Sequence, residues 1–266
     1  MKIGIVGCTG RMGKALIEEI YLNNNCELSA GAVRPDSDFV GLDIGTLAGI
    51  DAVGINACGT LEGLFDNSDA VIDFSKPNVA LKCAKIASET GKILVSGTTG
   101  FSDDEISQLK EYSKNTTIIW SGNMSMGINI LSSVVEQVAS ILDDSFDIEI
   151  VEMHHCHKVD APSGTALLLG ESAAKGRKVS LNDVECKSRD GIIGSRKRGE
   201  IGFSTIRGGD VVGEHTVMFA GDGERLELTH KASSRKIFAK GAVKAAIWAK
   251  NKQKGFYSMK DILMGK

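Results

Sequence analysis

A chain of 266 residues can bury one large core or two smaller ones, and 42% hydrophobic with 24% charged residues is ordinary for a globular protein. The formal net charge of −3 supplies no overall positive field for a nucleic-acid backbone, and the RKR cluster at Arg196–Arg198 reads as a solvated loop. Six cysteines, Cys8, Cys26, Cys58, Cys83, Cys156 and Cys186, lack metal-ligand or disulfide spacing and read as free thiols in a reducing compartment. A β pattern starts at Lys2 and no apolar run approaches the ~18 residues of a membrane span, so neither a secretory leader nor a membrane segment is expected and the address is cytoplasmic.

In chain order the first half alternates β-rich runs with helical patterns: KIGIV, a helix from about Met12, ELSAGAV, DAVIDF, a helix from Pro77, KILVSG, a helix from about Ser102, and TIIW. That rhythm predicts a Rossmann-type, doubly wound α/β domain with a parallel sheet. A helix over about Gly127–Leu142 follows, with Ile130, Val134, Val138 and Ile141 as its apolar positions. The runs FDIEIVEM, VECKS, IGFSTIR, VVGEHTVMFA and ERLELTHKA then alternate apolar with polar, around one clear helix from near Ser163. Such alternation predicts a second α+β domain with a mixed or antiparallel sheet. The terminal helical pattern, SRKIFAKGAVKAAIWAKNK, is expected to pack back on the first domain, giving a division into 1–125 with 235–266 and 126–234.

GIVGCTGRMGKALIEEI places Gly7, Gly10 and Gly13 after a strand and at a helix start, where bare backbone admits a pyrophosphate to the helix N-terminus. The spacing is GxxGxxG, not GxGxxG, and close packing alone also produces glycine turns. Where an NAD-specific strand end carries an acid for the ribose 2′-hydroxyl, this chain has Val33 followed by Arg34, a cation suited to a 2′-phosphate or simply a surface arginine. Asp36 is an alternative acid nearby. SGTTG at 96–100 and SGNMSMG at 121–127 follow predicted parallel strands, on the carboxyl edge where open α/β sheets bind ligands.

The densest chemistry is EMHHCHKVDAPSGTA, residues 152–166. Lys158 and the imidazoles of His154 and His155 run into a helix start at Pro162 and Ser163, with Gly164 and Thr165 in the first turn. Helix N–H groups beside cations make a cradle for an anion such as a small dicarboxylate, and His154 and Lys158 are credible proton donors. Glu152, His155 and His157 form a rival metal-ligand set, which the adjacent Lys158 charge opposes, and no metal is expected. His157 reads as structural, His215 and His230 carry no assigned role, and THKASSR at 229–235 reads as a hinge or a polar linker.

EIVEMHHCHKVDAPSGTA, with VGCTGRMG, DFSKP, SGTTGF, GNMSMGIN and IGFSTIRGGDVVGEHTVMFAGDGERLELTHKASSR, resembles the dihydrodipicolinate (4-hydroxy-tetrahydrodipicolinate) reductase family over nearly the whole chain. The resemblance implies a cofactor domain and a substrate domain joined by two short hinges, a homotetramer assembled through the substrate domains, and reduction with NADPH or NADH on the diaminopimelate route to lysine. It implies His154 as acid/base, Lys158 as proton donor, and substrate-carboxylate contacts from His155, Gly164 and Thr165, with Ser163 in the same cradle. For the cofactor it implies Gly7, Cys8, Thr9, Gly10, Arg11 and Met12, then Gly97, Thr98 and Thr99, then Ser121, Gly122, Asn123 and Met124, with Arg34 at the 2′-phosphate and NADPH favoured. Val33 stands where the family often has an acid, and Met124 where Phe is more usual. The competing readings are another two-domain nicotinamide oxidoreductase and a sensor or scaffold that binds NADPH without turnover.

Overall fold

The computed structural model describes residues 1–265. It divides into two compact units, Met1–Met126 with Arg235–Lys266, and Gly127–Ser234.

The chain opens with β1 (Lys2–Val6), α1 (Arg11–Tyr21), β2 (Glu27–Ala32), α2 (Ile44–Ala48), β3 (Ala57–Cys58), α3 (Leu61–Asp66), β4 (Ala70–Asp73), α4 (Pro77–Thr90), β5 (Ile93–Ser96), α5 (Asp103–Tyr112) and β6 (Thr117–Trp120). Local signals set several starts: Pro77 occupies the first turn of α4, and Ser102 with Glu105 closes a reciprocal capping box on α5. The second unit holds α6 (Met126–Ile141), β7 (Asp147–His154), α7 (Gly164–Gly176), α8 (Leu181–Val184), β8 (Glu185–Cys186), β9 (Ile201–Arg207), β10 (Gly213–Gly221) and β11 (Glu224–Ala232). The chain then returns to the first unit through α9 (Lys236–Ala249), β12 (Gly255–Tyr257) and α10 (Met259–Leu263).

In the first unit seven strands pair in the order β12-β6-β5-β4-β1-β2-β3, all parallel. Neighbouring residues of each strand enter opposite cores: Val71, Leu94 and Ile118 pack with Leu64, Phe65 and Leu109, while Ile72, Val95 and Ile119 pack with Leu16, Ile17 and α9. Burial on both faces explains why these strands read as unbroken apolar runs. Helix α9 packs against α1.

In the second unit five strands pair in the order β11-β10-β7-β9-β8, with β7/β9 and β8/β9 parallel and β10 antiparallel to both neighbours. Ile148 and Ile150, Val217 and Phe219, and Ile201 and Phe203 point to one face, which α6 and α7 cover.

Three expectations need correction. The buried stripe of α6 is Ile128, Leu131, Val135 and Ala139; Ile130, Val134 and Ile141 are exposed and Val138 is only partly buried. The helix carries two apolar stripes, and the sheet takes the one adjoining the one expected. VECKS contributes only the two-residue β8. Arg196 is not a solvated cation: its guanidinium donates to Asp147 at 2.6 Å and Glu149 at 2.9 Å, while Arg198 stays at the surface beside Asp144.

Candidate active site

In the first unit, β1 ends at Val6 and the chain turns through Gly7, whose φ of +68° is the left-handed region that glycine adopts without a Cβ penalty. Gly7 N–H and Cys8 N–H both donate to the Ala32 carbonyl, tying the turn to β2. Gly10 caps α1 with no side-chain hydrogen bond, and the first turn holds no acid. Gly7, Gly10 and Arg11 are exposed, Thr9 and Met12 half-buried. A positive helix end with accessible bare backbone fits a pyrophosphate. Cys8 offers backbone only: its buried thiol is pushed up to about 11 by desolvation, so it stays protonated.

At the end of β2, exposed Arg34 and half-buried Val33 line a cavity of about 630 Å³ together with Gly7, Thr60, Val79 and Lys82. At the ends of β4 and β5, the fully buried Asp73 carboxylate accepts from the hydroxyls of Ser96 (2.9 Å), Thr98 (2.7 Å) and Ser75. Burial pushes the Asp73 carboxyl above the usual carboxylate range against the pull of these donors. Thr98 also accepts from Ser75 N–H, and its carbonyl takes the Trp120 indole N–H. Thr98 is thus buried scaffold, whereas Thr99 and Gly122 are exposed and Gly97 and Ser121 half-buried. Asn123 is buried and its side chain accepts from Ser125 N–H. Met124 lies within the core, so its side chain packs.

In the second unit β7 carries Glu152 and His154 on the same face by strand alternation. Glu152, 1% exposed, accepts from Arg207 on both oxygens (2.8 and 2.9 Å), from Ser163 N–H (3.0 Å) and from the Thr205 hydroxyl (3.3 Å). His154 Nδ1 stands 2.5 Å from the same carboxylate. Burial alone would raise Glu152, yet these partners hold it below the usual carboxylate range. Burial pushes His154 below its ordinary value against the attraction of Glu152.

The chain leaves β7 held by Gly208 N–H to the His154 carbonyl and His155 N–H to the Val211 carbonyl. Lys158 Nζ pairs with both oxygens of Asp160 at 2.8 and 2.9 Å. His155 is half-buried and His157 exposed, their rings 6.2 Å apart. Ser163 then caps α7, its Oγ accepting from Ala166 N–H, and exposed Gly164 opens on space no atom fills. Among the described residues no three His, Cys, Asp or Glu side chains are grouped to hold a metal, and Glu152 is committed to Arg207, His154 and Ser163.

Sequence reading missed Arg207 and His215. His215 is buried, its Nε2 is 3.1 Å from Ser163 Oγ, and its ring meets the His154 ring edge-on at 5.1 Å. Strand parity was the available signal, since His215 shares a face with Val217 and Phe219, and Arg207 with Ile201 and Phe203. Desolvation pushes His215 down to about 4 from 6.5. Between those values the unfolded chain binds a proton at His215 that the folded chain does not, so its stabilising effect is whole above pH 6.5 and fades as pH falls toward 4. Melting temperatures across that window are expected to drop less steeply in His215→Gln than in the parent; equal slopes would remove His215 as the source.

Comparison with known proteins bears on both units. Residues 1–124 match the family described as "Dihydrodipicolinate reductase, N-terminus", and residues 127–263 match "Dihydrodipicolinate reductase, C-terminus". The chain belongs to the dihydrodipicolinate reductase family. Among its relatives, the 4-hydroxy-tetrahydrodipicolinate reductase of Bartonella tribocorum is 50% identical over 264 residues, covering 99% of this chain and 98% of the relative. That of Agrobacterium fabrum is 50% identical over 264 residues, covering 99% and 96%. A solved structure, dipicolinate-bound dihydrodipicolinate reductase from Paenisporosarcina sp. TG-14, superposes with a TM-score of 0.74 at 22% identity, covering 97% of each chain, and shares the fold. Membership of the dihydrodipicolinate reductase family makes the chain an oxidoreductase with a nicotinamide cofactor.

Proposed function

We propose that the first unit binds the nicotinamide dinucleotide, that the second binds the substrate, and that His154 and Lys158 manage its protons. The reaction, which follows from family membership, is reduction of 4-hydroxy-tetrahydrodipicolinate to tetrahydrodipicolinate on the diaminopimelate route to lysine. Each turnover releases water and consumes one hydride and one proton. A reduced nicotinamide, when bound, supplies the hydride.

The observation that carries the reading is the Glu152–His154 pair beside Lys158, next to the open first turn of α7. The N–H groups of Gly164 and Thr165 with the positive helix end suit one carboxylate of a small dicarboxylate, and His155 and Lys158 suit the other. Dipicolinate in the Paenisporosarcina protein is a ligand of that class. His154 exchanges its proton at Nε2, and Lys158 donates once it leaves Asp160. The deciding assay is loss of NADPH absorbance dependent on 4-hydroxy-tetrahydrodipicolinate; cofactor binding without turnover would favour a sensor.

NADPH is the preferred cofactor in this reading, because Val33 removes an acid that would repel a 2′-phosphate and Arg34 is exposed beside it. A lower KM for NADPH than for NADH is expected, and Arg34→Ala is expected to narrow the gap roughly 10-fold. An unchanged KM ratio would remove Arg34 from cofactor choice. A cytoplasmic homotetramer completes the proposal; the six cysteines are free thiols, and no helix among the described residues is long and apolar enough to cross a membrane. Sedimentation tests the tetramer.

A further inference from the structure

We infer that Arg207 and Glu152 are positioning residues that hold His154 and Lys158 in register, one guanidinium bracing both proton-handling side chains. The inference rests on the roles of His154 and Lys158 proposed above.

Glu152 lies at the centre of the arrangement. Five donors converge on its two oxygens: His154 Nδ1 and Arg207 Nη1 on Oε2, and Arg207 Nη2, Ser163 N–H and Thr205 Oγ1 on Oε1. A carboxylate so surrounded is ionised and can only accept. The hydrogen between it and His154 therefore belongs to the imidazole, which fixes the tautomer with its proton on Nδ1 and leaves Nε2 as the exchanging atom. Nε2 has clearance because residue 213 is glycine: a Cβ there would stand 2.9 Å from it.

Arg207, the last residue of β9, does more than neutralise Glu152. Its Nη2 also donates to the Asp160 carbonyl at 2.7 Å, and the Asp160 carboxylate holds Lys158 Nζ. One planar fork thus ties β7, which carries His154, to the loop, which carries Lys158. Lysine cannot reproduce that geometry with a single ammonium. The charged and titratable groups around the His154 ring are Glu152 on its own strand, Arg207 on β9, His215 on β10, and Lys158 with Asp160 in the loop. Glu152 is the acid in direct contact with the ring, and it favours the imidazolium.

A buried Arg–Glu pair can also be structural alone, so the test reads the imidazole itself. In full-length Glu152→Gln and Arg207→Lys, nitrogen NMR of the His154 ring is followed against pH, with the resonance assigned by its loss in His154→Gln. Steady-state pH profiles and NADPH dissociation constants are measured in parallel. Replacing the anion by an amide is expected to move the His154 titration, and the alkaline limb of kcat/KM with it, about one pH unit toward acid. The ring is expected to change from the single Nδ1–H tautomer to a mixture. Arg207→Lys is expected to lower kcat roughly 10- to 100-fold through misplacement of both groups. NADPH dissociation constants stay at the parent value in both variants.

An unmoved titration and tautomer in Glu152→Gln overturn the inference; so does parent-like kcat in Arg207→Lys. If Glu152→Gln fails to fold, Arg207→Lys decides alone by a fall in kcat with an unchanged NADPH dissociation constant and with the Nδ1–H tautomer retained through Glu152. A shifted imidazole in Glu152→Gln together with parent-like kcat in His154→Gln leaves the positioning intact and sinks the acid/base role of His154 instead.

Discussion

Lys158→Ala is expected to lower kcat by roughly 10²- to 10⁴-fold, the range contributed by a positioned acid, with the NADPH dissociation constant unchanged. Lys158 lies in the second unit with a side chain 20% exposed, accessible enough to meet a small anion and sheltered enough to lose most bulk water. Its present partner, Asp160, is more exposed at 55% and sits two residues on, so a dianionic ligand competes with it for the ammonium. Lys158→Arg separates charge from proton supply. Guanidinium keeps the positive charge and its hydrogen bonds but does not release a proton near neutral pH, so recovery of KM without recovery of kcat is expected. Stopped-flow or steady-state kinetics, with cofactor binding followed by fluorescence, provide the measurements; a kcat within twofold of the parent for Lys158→Ala would remove this lysine from the mechanism.

Gly13→Ala is expected to be the most damaging single-methyl change in the cofactor turn. An added Cβ would stand 2.7 Å from Cys8 Cα and carbonyl carbon, and closer still to the Gly7 carbonyl oxygen. All three are backbone atoms, so nothing flexible can yield. Alanine gains up to about 1 kcal/mol over glycine in a helix, whereas overpacking costs about 1–3 kcal/mol and more where backbone must move, so the clash wins. A net loss of about 2 kcal/mol corresponds to a fall in Tm of about 4–8 °C for a unit of this size. Displacing Gly7 and Cys8 also spoils the backbone proposed to receive the pyrophosphate, and NADPH affinity is expected to weaken at least 10-fold. Gly10→Ala is the control for stability, because its Cβ would meet only the Gly7 carbonyl at 3.2 Å. Equal falls in Tm in the two variants would sink the packing argument and point to chain flexibility instead.

The parallel sheet was legible because strands buried on both faces become apolar runs, and the switches between runs and helical spacing mark β1, β2, β4, β5 and β6. Strands β3 and β12, of two and three residues, are too short to show a period, and helices α2, α3 and α10 span at most six residues. Periodicity also failed on α6, where two stripes satisfy the same spacing and only the partner sheet selects Leu131 and Val135 over Ile130 and Val134. At the site, the crowding of residues 152–166 was visible as an excess of titratable groups in a short segment. The partners that arrange it were not, because Arg207 and His215 come from strands some fifty residues downstream and look ordinary in isolation. Their inward orientation follows from alternation along each strand, but which inward residues meet depends on the β9-β7-β10 order, a fact of topology.

That β12 completes the first sheet has a bearing on synthesis. Gly255, Phe256 and Tyr257 register beside Thr117, Ile118 and Ile119 only after the whole intervening unit has left the ribosome. Until then β6 is one of the nascent sheet's two borders, opposite the two-residue β3, and its open amides invite pairing with another chain. A polypeptide stopped before Gly255 therefore risks aggregation even though every glycine of the N-terminal turn is already present.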